Sequence, residues 1–269
     1  MFHSKRLVLS ALAASLLAIS FAIPARAQSA PAGVKNVVLI HGAFADGSSW
    51  AKDIPALQSK GLRVIAVQNP LTSLADDVAA AKRAIALMDG PVLLVGHSWG
   101  GVVITEAGND PKVAGLLYVA ALAPGDGQSV ADAVKGTPPA PGNAEYRVDA
   151  SGFQSLTAKG IDQFFAQDVP AAERKIIFAT QGPWAKTAPA EKVSKAAWKN
   201  KPSWSIIAGQ DRMINPELQR AQAKTMKATT LELNTSHVPM VSQPDKVAAF
   251  IIKAAQQVPA GQKAVVTRE

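Results

Sequence analysis

The apolar run Val92-Leu93-Leu94-Val95 passes directly into Gly96-His97-Ser98-Trp99-Gly100-Gly101, and a helical pattern over 100–107 follows at once. A run of this length and composition reads as a strand buried on both faces. A G-x-S-x-G between such a strand and a helix demands a sharp, strained turn that pushes the serine hydroxyl out of the sheet, and flanking glycines permit the close backbone approach. The plain alternative is a Gly-rich turn with an incidental serine. A dinucleotide-binding loop is excluded here, because the G-x-G-x-x-G spacing is absent.

The same rhythm organises most of the chain. Short apolar runs at 37–40, 64–67, 116–119, 205–208 and 231–233 join 92–95 as strands. Helical patterns at 74–88, 100–107, 216–226 and 244–256 fall between or after them, which predicts βα units and a mostly parallel six-stranded sheet flanked by helices. Between 123 and 201 the rhythm stops. That stretch opens with Pro124, Gly125, Gly127 and the Pro138-Pro139-Ala140-Pro141-Gly142 cluster, then shows short helical patterns near 161–166, 171–179 and 190–198. A helical lid inserted between the fourth and fifth strands, over their carboxyl ends, is the expected form; an extra layer on the sheet is the alternative.

The chain begins with Lys5 and Arg6, an apolar run over 7–23, Pro24 and the small-residue pattern Ala25-Arg26-Ala27. This reads as a signal peptide, residues 1–27, cleaved before Gln28, with the rest (28–269) a single domain that is exported to the periplasm or secreted. A retained membrane anchor is the alternative, but Ser10, Ser15 and Ser20 interrupt the run, so no stable membrane insertion is expected after processing. Cysteine is absent, and three of the basic residues behind the net charge of +8 lie in this leader. The lysines over 186–201 alternate with Ala, Glu and Trp as on a solvated helix face, so no nucleic-acid partner is expected. Residues 257–269 lack periodicity and read as a loose tail.

A serine hydroxyl needs a base to take its proton. After the leader the chain holds only His41, His97 and His237. His97 adjoins Ser98 and should point elsewhere, while His41 closes the first strand. His237, just past the last strand, is the remaining base, in the order serine, acid, histidine. The acid must lie between them at a strand end, to orient the imidazole and stabilise its charged form. Asp211 fits, after Ile206-Ile207-Ala208-Gly209-Gln210; a cap for the following helix is its bland reading. The oxyanion requires preset backbone N–H donors, expected from Trp99 after the nucleophile and from Ala43 in the loop His41-Gly42-Ala43-Phe44, where Gly42 would allow the turn. Phe44, Phe164, Phe165, Phe178 and Trp184 are candidates for an apolar pocket, or for lid core.

With these residues in place, 37–252 resembles the α/β-hydrolase superfamily. It is most similar to the branch of plant methyl-ester esterases and hydroxynitrile lyases and their bacterial esterase-like relatives. The Asp46-Gly47-Ser48-Ser49-Trp50 continuation, the 211–219 segment and Ser236-His237 near Pro244 carry the narrower likeness. The resemblance implies an α/β-hydrolase fold, no metal or organic cofactor, and a small-molecule ester as substrate. Lyases of this branch carry Thr and Lys where this chain has Gly42 and Val238, so ester hydrolysis through an acyl-enzyme is the expectation. Lyase-like or perhydrolase chemistry on the same triad, or a ligand-binding member without turnover, are its alternatives. Oligomeric state is not legible.

Overall fold

A computed structural model describes Met1 and residues 33–259. The expected leader and nearly all of the expected tail therefore lie outside the described residues. In chain order the strands are β1 (Asn36–Ile40), β2 (Arg63–Val67), β3 (Val92–His97), β4 (Val113–Val119), β5 (Tyr146–Val148), β6 (Phe153–Leu156), β7 (Trp184–Ala185), β8 (Ser203–Ala208) and β9 (Thr229–Leu233). Six of them form one sheet in the order β2-β1-β3-β4-β8-β9, with every pairing parallel. Every residue of β1, β3 and β8 is buried, which is why each carries a short apolar run, 37–40, 92–95 and 206–208, with Asn36, His97, Ser203 and Ser205 the buried polar residues beside them. The edge strands β2 and β9 instead expose Arg63 and Glu232, charges that discourage pairing with another chain.

The helices are α1 (Asp53–Ser59), α2 (Leu74–Ala86), α3 (Trp99–Ala107), α4 (Val130–Ala133), α5 (Ala158–Gly160), α6 (Ala171–Thr180), α7 (Pro216–Thr225), α8 (Pro239–Ser242) and α9 (Pro244–Gln257). Ser73 starts α2 by accepting a hydrogen bond from the Asp76 N–H. Leu74, Val78, Ala81 and Ile85 then bury one face at helical spacing. Burial of Leu74, Val78 and Ile85 contributes about 1.5–3 kcal/mol each. The short α3 is buried on nearly every side, because it leaves the elbow directly against the sheet.

All six expected sheet strands form; β4 begins at Val113, three residues before the expected run at 116, since the small Ala114 and Gly115 interrupt the apolar pattern. The stretch between β4 and β8 differs more. It contains a three-stranded antiparallel sheet, β5-β6-β7, where only helices were expected. Residues 190–198 are not a helix: the described turns are Ala188–Ala190 and Ala197–Lys199. Long-range partners replace the helical ladder there, as Glu106 accepts from the Ser194 N–H and hydroxyl and Asp126 accepts from the Ala196 N–H. Helix α1 was missed because Leu57 is its only buried apolar side chain.

Strand order reverses between β1 and β3: the chain leaves β1 for β2 on one side and returns to β3 on the other. A crevice opens at such a switch point, beyond the carboxyl ends of the strands. Ile40 pairs with Gly96, so the loop after β1 and the turn after β3 emerge side by side at that crevice.

Asp53, the first residue of α1, is fully buried, and neither carboxylate oxygen finds a hydrogen-bond partner elsewhere among the described residues. Burial pushes its carboxyl up to about 8. The unfolded chain releases that proton near pH 4. Between these limits the folded state holds one proton more, so stability falls as pH rises. Asp53→Asn removes this slope. Its stability relative to the parent should rise by about 1.4 kcal/mol per pH unit between pH 5 and 7. Urea unfolding at the two pH values measures this, and an unchanged difference would contradict a buried neutral Asp53.

Candidate active site

Ser98 stands between β3 and α3 with φ 52° and ψ −119°, a strained backbone that costs of order 1–3 kcal/mol. The elbow closes tightly: a Cβ on Gly96 would come within 2.4 Å of the Gly100 carbonyl oxygen. The bend projects the hydroxyl toward the loop after β9, where His237 Nε2 lies 2.8 Å from Ser98 Oγ. His237 Nδ1 lies 2.7 Å from Asp211 Oδ2, in the turn after β8. Asp211 and His237 are both buried. A carboxylate only accepts, so Nδ1–H donates to it and Nε2 is left to receive the serine proton.

Asp211 is held firmly. Its Oδ1 accepts from the backbone N–H groups of Met213 (2.7 Å) and Ile214 (2.9 Å), and its Oδ2 accepts from the Gln219 amide at 2.8 Å as well as from His237. The Gln219 carbonyl in turn accepts from the Ala208 N–H of β8. His97 is also part of the support: its Nε2–H donates to the His237 carbonyl oxygen at 2.8 Å. Burial, then the neighbouring His237 ring, hold His97 well below the usual imidazole range, so it stays neutral. Asp168 accepts from the Ser236 N–H and steadies the same loop. His41 is turned away from Ser98, taking the Asn69 N–H on Nε2 and donating from Nδ1 to the Gly42 carbonyl. Sequence reasoning missed both supports: the His97 bond joins elements far apart in the chain, and the Gln219 bond depends on how α7 folds back over the turn that holds Asp211.

A cavity of about 360 Å³ opens at Ser98 and His237. Phe44, Trp99, Tyr146 and Trp184 form one aromatic wall, and Leu122, Met213, Ile214 and Leu218 supply aliphatic surface. Among the described residues, no Asp, Glu, Lys or Arg lines it. Of the five aromatic candidates, Phe44 and Trp184 reach this cavity; Phe164, Phe165 and Phe178 do not. Phe165 packs behind the site, with ring centroids 5.2 Å from His237 and 6.5 Å from His97. Phe164 lies under Lys159, and Phe178 under Arg147. The π-helical turn Ile161–Phe165 sends neighbouring phenylalanines in different directions, which a run of two aromatics does not disclose. Tyr146, Leu122 and Met213 were not anticipated, as loops and β5 bring them in from far along the chain.

Ala43 and Trp99 both line the cavity. Trp99 opens α3, so its N–H has no acceptor within the helix. The turn after β1 is made by Phe44, which takes φ 60°, rather than by Gly42. Gly42 answers a different need: a Cβ there would lie 2.7 Å from the Ser98 Cβ and 3.1 Å from the His97 carbonyl oxygen. Among the described residues no group of three His, Asp or Glu side chains is placed to hold a metal ion.

Fold and site together define a hydrolase-type α/β protein, with Ser98 on a strained strand-to-helix turn at the sheet's switch point. Residues 37–250 match the alpha/beta hydrolase family, and the chain belongs to it. It is similar to a pyrethroid hydrolase of Sphingobium wenxiniae, at 27% identity over 81% of this chain and 86% of the relative. A carbendazim-hydrolysing esterase of a Nocardioides species is 33% identical over 35% of this chain and 45% of its own length. Among solved structures, that of a pyrethroid hydrolase superposes with a TM-score of 0.72, at 23% identity, over 82% of this chain and 97% of that one.

Gly42→Ala should therefore disturb the site more than its size suggests. The added methyl has only the Ser98 Cβ, the His97 ring and backbone to push against, so the elbow must shift. A loss in kcat of about a hundredfold is expected, since misplacement on the order of an ångström costs that much, together with a lowered Tm. Steady-state kinetics and thermal unfolding check both, and near-normal kcat would mean that the loop does not clasp the elbow so closely.

Proposed function

We propose that this chain hydrolyses neutral carboxylic esters through an acyl-enzyme. The observation that carries the reading is the continuous hydrogen-bonded series Ser98 Oγ, His237 Nε2, His237 Nδ1, Asp211 Oδ2, with steps of 2.8 and 2.7 Å, at the floor of an uncharged cavity. Ser98 attacks the ester carbonyl as His237 takes its proton. The oxyanion that forms receives the N–H groups of Ala43 and Trp99. His237 passes the proton to the departing alcohol oxygen, leaving the acyl group on Ser98. Water then attacks that acyl group with His237 as base, the acid leaves and Ser98 regains its proton. Asp211 keeps the imidazole in the required tautomer and offsets its charge at each protonated stage.

The substrate is read as neutral because a charged acyl or alcohol group would lose its hydration against walls that offer no counter-ion. The names of the pyrethroid hydrolase and carbendazim-hydrolysing relatives agree with hydrolysis of a small organic substrate. Cyanohydrin cleavage is disfavoured: Val238 is apolar and buried, the cavity has no cation for departing cyanide, and Gly42 leaves no room for the threonine of the lyases. The residues between β4 and β8 act as the lid in this reading, since Val130, Tyr146 and Trp184 bring them to the cavity. The signal-peptide pattern of residues 1–27 supports work outside the cytoplasm, in the periplasm or the medium.

Ser98→Ala and His237→Ala should each lower kcat on p-nitrophenyl butanoate by roughly 10⁴-fold or more, and the double variant should be little worse than either. Additive losses would mean that the two groups do not serve one step. A p-nitrophenyl ester ending in a carboxylate should show kcat/KM about tenfold or more below its neutral counterpart of equal length. Cleavage of mandelonitrile above the buffer rate would overturn the choice of ester hydrolysis.

A further inference from the structure

Asp77 is fully buried in α2, apart from the catalytic series. Its Oδ2 accepts from the indole Nε1–H of Trp99 at 2.6 Å, and its Oδ1 from the Leu71 N–H at 2.8 Å. The charged groups that face it are Asp76 on its own helix and Glu191 from the insertion, both negative. A chain does not bury a carboxylate among like charges at no cost, so what it holds matters.

It holds the aromatic wall from two directions. Trp99 is tethered directly. Leu71, with φ 59°, is tethered through its N–H, and its carbonyl accepts from the Ala185 N–H of β7 at 2.9 Å. The neighbouring Trp184 packs against Trp99 with ring centroids 5.1 Å apart and meets Phe44 edge-on at 5.9 Å. All three rings line the cavity at Ser98. One carboxylate therefore joins the elbow, the turn after β2 and β7, and through them the rings that a bound ester would meet.

We propose that Asp77 is the positioning residue of this wall: acting through Trp99 and Trp184, its acceptor-only carboxylate sets the spacing of the rings and so the cavity's selectivity for aromatic esters. The proposal uses the ester reading of the site only to name the ligand. Two N–H donors converge on Asp77, and only a carboxylate can accept both through its two oxygens. An asparagine amide would satisfy one donor and set its own N–H₂ against the other. Protonation does the same, by placing an O–H where an N–H already points. Burial raises the Asp77 carboxyl to about 6, against the lowering effect of the Trp99 bond, so this loss of fit falls within an accessible pH range.

The test is binding in the Ser98→Ala background, by calorimetry, with phenyl phenylacetate as the aromatic ester and ethyl butanoate as the small aliphatic one. Adding Asp77→Asn should reduce the preference for the aromatic ester by about tenfold, the scale of a displaced aromatic contact. With Asp77 present, that preference should fall between pH 7 and pH 5; in the Asp77→Asn variant it should be low at both. Equal loss for the two ligands, no loss, or a pH dependence that survives Asp77→Asn would overturn the proposal. Should that variant fail to fold, the Trp99 indole N–H resonance, identified by its absence in Trp99→Phe, carries the test. It should shift through pH 6 in step with aromatic-ester affinity, and a resonance that stays fixed rejects the assignment. Binding does not require turnover, so failure of the intact protein to hydrolyse esters would remove the ester reading and leave this test standing.

Discussion

The left-handed backbone at Ser98 persists because β3, α3 and the loop after β1 close on it with almost no intervening side-chain volume. Gly96 lies against the Gly100 carbonyl and Gly42 against the Ser98 Cβ, so the elbow is over-determined by contacts from both flanks. That strain lifts the hydroxyl off the sheet toward His237. The parallel register of β1 and β3 brings the first loop alongside, and the reversal of strand order opens the crevice between them. The cavity, the backbone of Ala43 and Trp99 that lines it, and the histidine loop all take their positions from this junction.

Three buried carboxylates show how partners decide what such a group does. Asp211 accepts from two backbone N–H groups, the Gln219 amide and His237, and these four donors fix its carboxyl group against the imidazole. Asp77 accepts from the Trp99 indole and the Leu71 N–H, two neutral donors with only negative charges nearby, and its proton affinity rises moderately. Asp53 has no comparable donors, and its carboxyl rises further, to about 8. The difference between Asp77 and Asp53 follows hydrogen bonding to the charged form, set against the penalty of burial. In the proposed reading the roles separate accordingly: orientation of a base at Asp211, of a cavity wall at Asp77, and a cost to stability at Asp53.

The histidines divide in the same way. His97 is spent on the backbone of His237, and His41 on the chain between Asn69 and Gly42. Each is locked in one tautomer by a backbone partner and kept neutral by burial. Among the described residues, only His237 presents one ring nitrogen to a carboxylate and the other to a hydroxyl.

Local pattern was enough for the strained turn at Ser98, for the six sheet strands and for singling out Ser98, Asp211 and His237, whose side chains meet in the structure. These depend on features a strand or turn carries within itself: an apolar run buried on both faces, glycines around a bend, a polar residue just past a strand end. The insertion was poorly legible, because β5 to β7 are short, β5 and β6 are only partly buried, and the turns near 188–199 are held by Glu106 and Asp126 from other parts of the chain. Gln219, His97 and Asp77 were invisible for a related reason. Nothing in the residues around them marks a donor or acceptor whose partner lies on another element. Sequence alone marked Ser98, Asp211 and His237 as candidates for acyl transfer; only the tertiary structure decided which groups hold them still and which rings line the cavity beside them, since those choices depend on distances between elements that the chain order does not contain.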